Sequence, residues 1–159
     1  MKPVALNASP LIVLARARYL DLVPKLVSSV VVPRDVATEV TAGPAEDPAV
    51  RFLAQPSWLT VVDLAPPLSP LAIWRLGQGE NEVIEYARRN PGTTAGLDDR
   101  AAQRAALALH IPLTGTLGLL VAAVHNKLLP SLRDAIDAVR TSGLYIDPFT
   151  AAALTEKIS

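Results

Sequence analysis

Two neighbouring segments dominate the pattern of this sequence: Gly77-Gln-Gly-Glu-Asn-Glu-Val-Ile-Glu-Tyr-Ala87 and Thr94-Ala-Gly-Leu-Asp-Asp-Arg100. The first predicts a loop that opens a helix with carboxylates in its first turn. The second predicts a short strand that ends in two adjacent aspartates. Because the carboxyl ends of parallel strands meet at one edge of a sheet, acids from both segments can converge there. We therefore expect an α/β protein with its site at that edge.

Composition supports a folded protein with a substantial core. Half of the 159 residues are hydrophobic and 19% are charged, which is typical of a globular chain. Length predicts a single domain over residues 1–159. Lys plus Arg equals Asp plus Glu, at 15 each, so no global basic charge points to nucleic acid. The absence of Cys excludes disulfides and zinc–thiolate sites and fits a cytoplasmic protein.

Short apolar runs alternate with helical patterns along the chain. Strands are predicted at 3–6, 30–32, 58–62, 94–97 and 111–113, and the helices between them include 20–27, 35–42, 80–89, 101–109 and 117–125. Ser9 is the expected N-cap of the first helix, with Pro10 at its first position. A loop with Pro66, Pro67 and Pro70 precedes the central helix. This alternation predicts a parallel sheet of four to five strands covered by helices on both faces.

Residues 105–124 contain no Asp, Glu, Lys or Arg, so we considered whether they form a membrane span. His110, Pro112 and Gly115 interrupt this stretch, so a helix, a short strand and a second helix explain it better than a membrane span. No signal peptide is predicted at the N-terminus.

The predicted strand ends collect oxygen-bearing side chains. Asn7 ends the first strand, Asp98 and Asp99 end the fourth, and Thr114 ends the fifth, while Glu80 opens the helix before strand four. Glu39 lies in the helix after strand two. Carboxylates crowded together repel one another, and a hard divalent cation such as Mg²⁺ or Mn²⁺ relieves that repulsion. Such an ion can activate water and stabilise charge on a phosphodiester.

Each of these acids also has a purely structural explanation. Asp98 is a good helix N-cap, and Asp99 and Glu80 favour the positive end of a helix dipole. A dinucleotide-binding loop is disfavoured because Gly77-Gln-Gly79 is followed by Glu82, where a third glycine would be needed. A Ser-His-Asp hydrolase is disfavoured because Ser9 lacks the nucleophile elbow. Arg100 and Arg104 could contact phosphates or could simply be solvated surface residues.

Five segments, in this order, resemble those of PIN-domain proteins, in particular a small prokaryotic branch related to VapC-type toxins. They are Leu6-Asn-Ala-Ser-Pro-Leu-Ile12, Val32-Pro-Arg-Asp-Val-Ala-Thr-Glu-Val40, Gly79-Glu-Asn-Glu-Val-Ile84, Leu97-Asp-Asp-Arg100 and Thr114-Gly-Thr-Leu-Gly-Leu-Leu120. The resemblance implies a three-layer α/β/α sandwich and a Mg²⁺- or Mn²⁺-dependent ribonuclease. It also implies RNA as substrate and a small antitoxin protein as a partner. The high apolar content would permit a homo-oligomer.

The resemblance assigns roles to individual residues. Glu39, Glu80 and either Asp98 or Asp99 match the family's acids, with Asp99 slightly preferred, and Ser9, Thr114 and Thr116 are polar positions beside the site. Asn7 stands where the family usually has an aspartate. An amide oxygen can still ligate a cation, but it carries no charge and cannot act as a base. A non-catalytic module that binds RNA or protein is therefore the alternative function.

Overall fold

Parallel strands form the centre of the molecule. The computed structural model describes residues 1–54, 57–66 and 75–158, and in this part of the chain five strands form one sheet in the order β3-β2-β1-β4-β5. The strands are β1 (Val4–Leu6), β2 (Val30–Pro33), β3 (Leu59–Val62), β4 (Thr94–Gly96) and β5 (Leu113–Thr114). Every neighbouring pair is parallel. The predicted α/β/α architecture is confirmed, with helices on both sides of the sheet.

Helices occupy most of the connections between strands. They are α1 (Ala8–Arg16), α2 (Val23–Leu26), α3 (Arg34–Thr41), α4 (Pro48–Leu53), α5 (Gln78–Arg89), α6 (Arg100–Ala108), α7 (Thr116–His125), α8 (Leu132–Thr141) and α9 (Pro148–Ile158). The stretch 105–124 divides between α6, β5 and α7, as predicted. No helix in the described ranges is both long and apolar enough to cross a bilayer.

The central strands are short and are buried on both of their faces. All three residues of β1 and all four of β2 are buried, which requires continuous apolar runs rather than an alternating pattern. β1 and β4 also approach closely: a Cβ atom on Gly96 would lie 2.6 Å from Leu6 Cδ2. Glycine at position 96 therefore allows β1 and β4 to pair.

Helix α5 lies across the sheet and is tied to α3 by one buried carboxylate. Glu82 is 6% exposed, and its Oε1 accepts a hydrogen bond from the backbone N–H of Asp35 at 2.8 Å. Burial raises the pKa of Glu82, an effect that the hydrogen bond from Asp35 opposes in part. Since the N–H of Asp35 is one of the unpaired donors at the start of α3, Glu82 caps that helix from a neighbouring one.

Three local predictions differ from the structure. Helix α1 begins at Ala8 with Asn7 at its N-cap position, so Ser9 is not the cap. The predicted helix 20–27 is a 3-10 turn (Leu20–Leu22) followed by α2, which has Pro24 in its first turn. The fifth strand begins at Leu113 rather than Ile111, because the N–H of Ile111 closes the end of α6 on Ala106. Pro67 and Pro70, which belong to the predicted proline-rich loop, lie outside the described residues.

Candidate metal and phosphodiester site

The site lies where the sheet changes its direction of winding. β1 and β4 are neighbours in the sheet but far apart in sequence, and the helices that follow them begin at the same edge. The N–H of Asn7 donates to the carbonyl of Gly96 at 3.0 Å, which places the ends of both strands side by side. Asn7, Asp98 and Asp99 therefore converge, as the order of strands predicted.

Asn7 occupies an N-cap position without capping its helix. Its backbone is extended, with φ −81° and ψ 172°, but its side chain forms no cap hydrogen bond. An N-cap asparagine normally accepts an N–H from the first turn. Here Oδ1 is buried and accepts no hydrogen bond from any residue in the described ranges. A buried amide oxygen without a donor is costly, so an electropositive partner would stabilise it.

Gly79 makes room for this oxygen. A Cβ atom at position 79 would lie 3.2 Å from Asn7 Oδ1 and 3.3 Å from Glu39 Oε2. The missing side chain lets two oxygen atoms, from the start of α1 and from α3, approach the first turn of α5. Glu39, which is exposed on α3, therefore has its carboxylate beside the first turn of α5.

Glu80 lies in the same first turn of α5. The helix begins at Gln78, two residues earlier than predicted, and Gly77 is its N-cap residue. Oε2 of Glu80 accepts the backbone N–H of Gly77 at 3.0 Å. Burial raises the pKa of Glu80 above its ordinary value, and this hydrogen bond opposes the rise. The negative charges of Asp99 and Glu39 raise the same pKa further, so the three carboxylates repel one another.

Asp98 is the most constrained carboxylate of the site. Oδ1 accepts the N–H of Thr116 at 2.7 Å, and Oδ2 accepts the hydroxyls of Thr116 at 2.7 Å and Ser9 at 2.8 Å. Asp98 thus joins the starts of α1 and α7 to the end of β4. The sequence named Ser9 and Thr116 as polar neighbours of the site but did not indicate that both bind this aspartate.

Asp99, rather than Asp98, is the cap of α6. Its Oδ2 accepts the N–H of Ala102 at 3.0 Å, and the structural role proposed for Asp98 as an N-cap is therefore wrong. Asp99 is exposed, whereas Asp98 is partly buried. The cap hydrogen bond fixes Oδ2, and a carboxylate has further acceptor capacity on its second oxygen.

A cavity of about 810 Å³ opens above these residues. Its lining includes Asn7, Ser9, Glu80, Asp98, Asp99 and Arg100. Of the other predicted neighbours, Thr116 is fully buried beneath Asp98, while Thr114 and Arg104 are absent from the lining. Gln103 and the segment 143–147 also line the cavity, and sequence reasoning did not find them.

The donor set fits a hard cation held by mixed oxygen ligands. Among the residues that the structure describes, no group of three or more His, Cys, Asp or Glu side chains is placed to hold a metal ion. The buried Oδ1 of Asn7 accepts no hydrogen bond from the described residues and lines one cavity with two mutually repelling carboxylates, Glu80 and Asp99. An amide oxygen and two carboxylates are ligand types that Mg²⁺ or Mn²⁺ accepts.

Comparison with protein families agrees with this geometry. A family model described as a PIN domain matches residues 3–159. The chain belongs to the PIN-domain family. A comparison with curated proteins gives no match. The parallel pairing of β1 and β4 places Asn7, Asp98 and Asp99 at one junction, and this PIN domain has Asn7 where the resemblance implied an aspartate.

Proposed function

We propose that this PIN domain is a Mg²⁺- or Mn²⁺-dependent endoribonuclease. The observation that carries the proposal is the buried Oδ1 of Asn7, which accepts no hydrogen bond from the described residues and lines one cavity with Glu80 and Asp99. PIN folds are nuclease-like, and divalent ions are their general cofactors. Glu80, Asp99 and Asn7 would hold the ion, with Glu39 beside them.

The chain's own residues account for much of the organisation that catalysis needs. When bound, the ion would polarise a phosphodiester and lower the pKa of a water molecule. Asp98 accepts three hydrogen bonds, and these hold the starts of α1 and α7 against the end of β4. In this proposal Asp98 positions the site, while Asp99 reaches the ion. Arg100 lies on the cavity wall and pairs with Asp147 at 3.7 Å, and in this proposal it would exchange that partner for a phosphate oxygen.

The biological setting in this proposal is a toxin–antitoxin module of VapC type. RNA would be the substrate, a small antitoxin would restrain the nuclease, and the protein would act in the cytoplasm as a homo-oligomer. The resemblance of the ordered sequence segments supports this setting. Inspection of the neighbouring genes for a small open reading frame tests the antitoxin, and light scattering of the purified protein tests the oligomer.

A non-catalytic binding module is the second candidate, and Asn7 favours it. Replacing an aspartate by asparagine removes one negative charge from the cation site and one possible base. Asp99 and Glu80 both make helix-capping hydrogen bonds, so their presence is explained without a metal ion. In that case the cavity would bind RNA or protein without cleaving it.

Cleavage of a mixed RNA pool with Mn²⁺ separates the two candidates. The natural protein is compared with Glu80→Gln, Asp99→Asn and Asn7→Asp, and Glu46→Gln serves as the control because Glu46 is an exposed loop residue outside the cavity lining. Cleavage that disappears in the first two variants and persists in the control supports the nuclease. Cleavage only by Asn7→Asp identifies a scaffold disarmed at one residue, and no cleavage by any variant favours the binding module.

A further inference from the structure

One wall of the cavity comes from the segment between α8 and α9, which neither the sheet nor the acids require. Both sides of this segment are anchored. The N–H of Leu144 donates to the carbonyl of Val139 at 3.0 Å, and a guanidinium nitrogen of Arg140 donates to the carbonyl of Ile146 at 3.2 Å. The side chain of Ile146 is buried. The wall is therefore part of the packed structure of α8.

Tyr145 is the exception within this wall. It lies between two inward-packed residues, yet it is 84% exposed and lines the cavity together with Asn7, Glu80 and Asp99. The exposed ring of Tyr145 contributes little hydrophobic burial to folding, and the hydrogen bonds on either side of it hold its backbone in place. Its amphipathic ring is suited to contact with another planar group.

A second interaction links this wall to the start of α6. Asp147 caps α9 by accepting the N–H of Thr150 at 2.9 Å, and it pairs with Arg100 at 3.7 Å, where the arginine side chain is 77% exposed. Arg100 directly follows Asp99 and begins α6. The wall and the acid-bearing turn thus meet through a weak surface ion pair.

The charge of the cavity limits how a nucleic acid can bind there. Glu80, Asp98, Asp99 and Asp147 contribute four carboxylates, and Arg100 contributes the guanidinium. A polyanion gains nothing from such a surface through long-range attraction, in contrast to the basic grooves of most nucleic-acid-binding proteins. Without a bound cation, a contact that does not depend on phosphate charge would therefore add affinity for RNA at this cavity. Stacking of a base on an aromatic ring is such a contact.

We infer that Tyr145 is a stacking platform for an unpaired nucleobase of the RNA substrate, next to the phosphodiester held at the acids. This inference rests on the proposed ribonuclease function and names the residue of this chain that would contact a base of its RNA substrate. A base in a duplex is already stacked and cannot present its face to Tyr145. Every base has a π face, so Tyr145 would stack on any of the four bases. The contact would distinguish unpaired from paired RNA and would not distinguish one sequence from another.

The test measures binding without catalysis. Fluorescence anisotropy with a labelled, unstructured RNA oligonucleotide in EDTA compares the natural protein with Tyr145→Ala, Tyr145→Phe and Phe149→Ala. Phe149 is the matched control, because it is 88% exposed on α9 but is absent from the cavity lining. We expect Tyr145→Ala to weaken binding roughly 5- to 100-fold. Tyr145→Phe and Phe149→Ala are expected to stay within about twofold of the natural protein, because stacking needs the ring and not the hydroxyl.

Several results would overturn the inference. These are equal binding by Tyr145→Ala and the natural protein, equal losses in the Tyr145→Ala and Phe149→Ala variants, binding of a duplex as tightly as a single strand, or no binding of the oligonucleotide. Because Tyr145 is exposed, all variants should fold, and thermal melting verifies this. The Mn²⁺ cleavage assay is a separate measurement, so persistent cleavage with unchanged binding by Tyr145→Ala would reject the platform and leave the nuclease standing.

Discussion

Thr116 donates both its backbone N–H and its hydroxyl to the carboxylate of Asp98, each at 2.7 Å. Thr116 is fully buried at the start of α7, and these two bonds join that helix to the partly buried Asp98 at the end of β4. A hydrogen bond to a charged acceptor contributes more to stability than one between neutral groups. These two hydrogen bonds therefore stabilise the floor of the site, whatever the cavity binds.

The first prediction concerns the hydroxyl of Thr116. Thr116→Val keeps the shape and the backbone N–H bond but removes one donor to Asp98, and we expect the free energy of unfolding to fall by about 1.5–3 kcal/mol. Thr116→Ser retains the hydroxyl and should lose less. Urea denaturation of both variants measures the difference. Equal stability of the valine variant and the natural protein would contradict the role assigned to this bond.

The second prediction concerns the space left by Gly79. In Gly79→Ala the new methyl group would lie 3.1 Å from Val36 Cγ2 and 3.2 Å from Asn7 Oδ1, so one or both groups must move. We expect Mn²⁺ affinity to fall on the order of tenfold, or ~1.4 kcal/mol, because the amide oxygen is displaced. Calorimetric titration with Mn²⁺ measures this affinity. Gln78→Ala, an exposed change in the same turn, is the control and should bind Mn²⁺ normally.

The third prediction concerns the charge at position 7. In Asn7→Asp a further carboxylate would join those of Glu39, Glu80 and Asp99 in a partly buried cluster, and mutual repulsion should lower the melting temperature in EDTA. With Mn²⁺ added, the same variant should gain more stability than the natural protein, because the ion neutralises the added charge. Thermal melting with and without Mn²⁺ gives both quantities. A variant that melts identically in the two conditions would argue against a cation at this position.

The fourth prediction is a pH dependence that lies away from the site. Asp47 caps α4 and accepts two hydrogen bonds from Arg16, at 2.6 and 3.0 Å. Burial alone would raise the pKa of Asp47, but the hydrogen bonds from Arg16 and Ala49 and the charge of Arg16 outweigh it, and the pKa is lowered. A lowered pKa in the folded state stabilises the protein above the ordinary pKa of aspartate, and this stabilisation is lost as the pH falls through the lowered value.

The matched variant for this effect is Asp47→Asn, which keeps an N-cap oxygen but loses the charge. At neutral pH it should be less stable than the natural protein by about 1 kcal/mol, the order expected of a partly exposed ion pair. The difference in stability between the two proteins should shrink as the pH is lowered, because Asp47 of the natural protein then becomes protonated and loses its charge. Denaturant titrations of both proteins at several pH values measure it. A difference that grows in acid would mean that the sign of the shift is wrong.

The order of strands and helices was predictable because short apolar runs alternate with helical patterns, and the runs of β1 and β2 are buried throughout. Once the runs were placed, the parallel arrangement brought Asn7, Asp98 and Asp99 together. Glu80 was also predicted correctly as a first-turn residue, although the helix begins two residues earlier. These features depend on local patterns and on one rule of sheet topology.

What the sequence did not predict depends on contacts between distant segments. Asp98 and Asp99 are adjacent and chemically identical, and only the position of Thr116 in the fold assigns capping to one and cross-linking to the other. Ser9 was expected to cap α1 because Pro10 suits a first helical position. The first four N–H groups of a helix are unpaired, so Pro10 is equally compatible with a helix that begins at Ala8.

The wall that carries Tyr145 has a consequence for the order in which the molecule forms. Asn7 and the segment 143–147 line one cavity although most of the sequence separates them. Helix α8, from which this segment continues, contributes buried Leu132, Ile136 and Val139 to the core that also holds β1 and β4. Because a domain generally folds as a unit, the wall and the acids form in the same step. A chain that lacks α8 would therefore lose the acid cluster together with the wall.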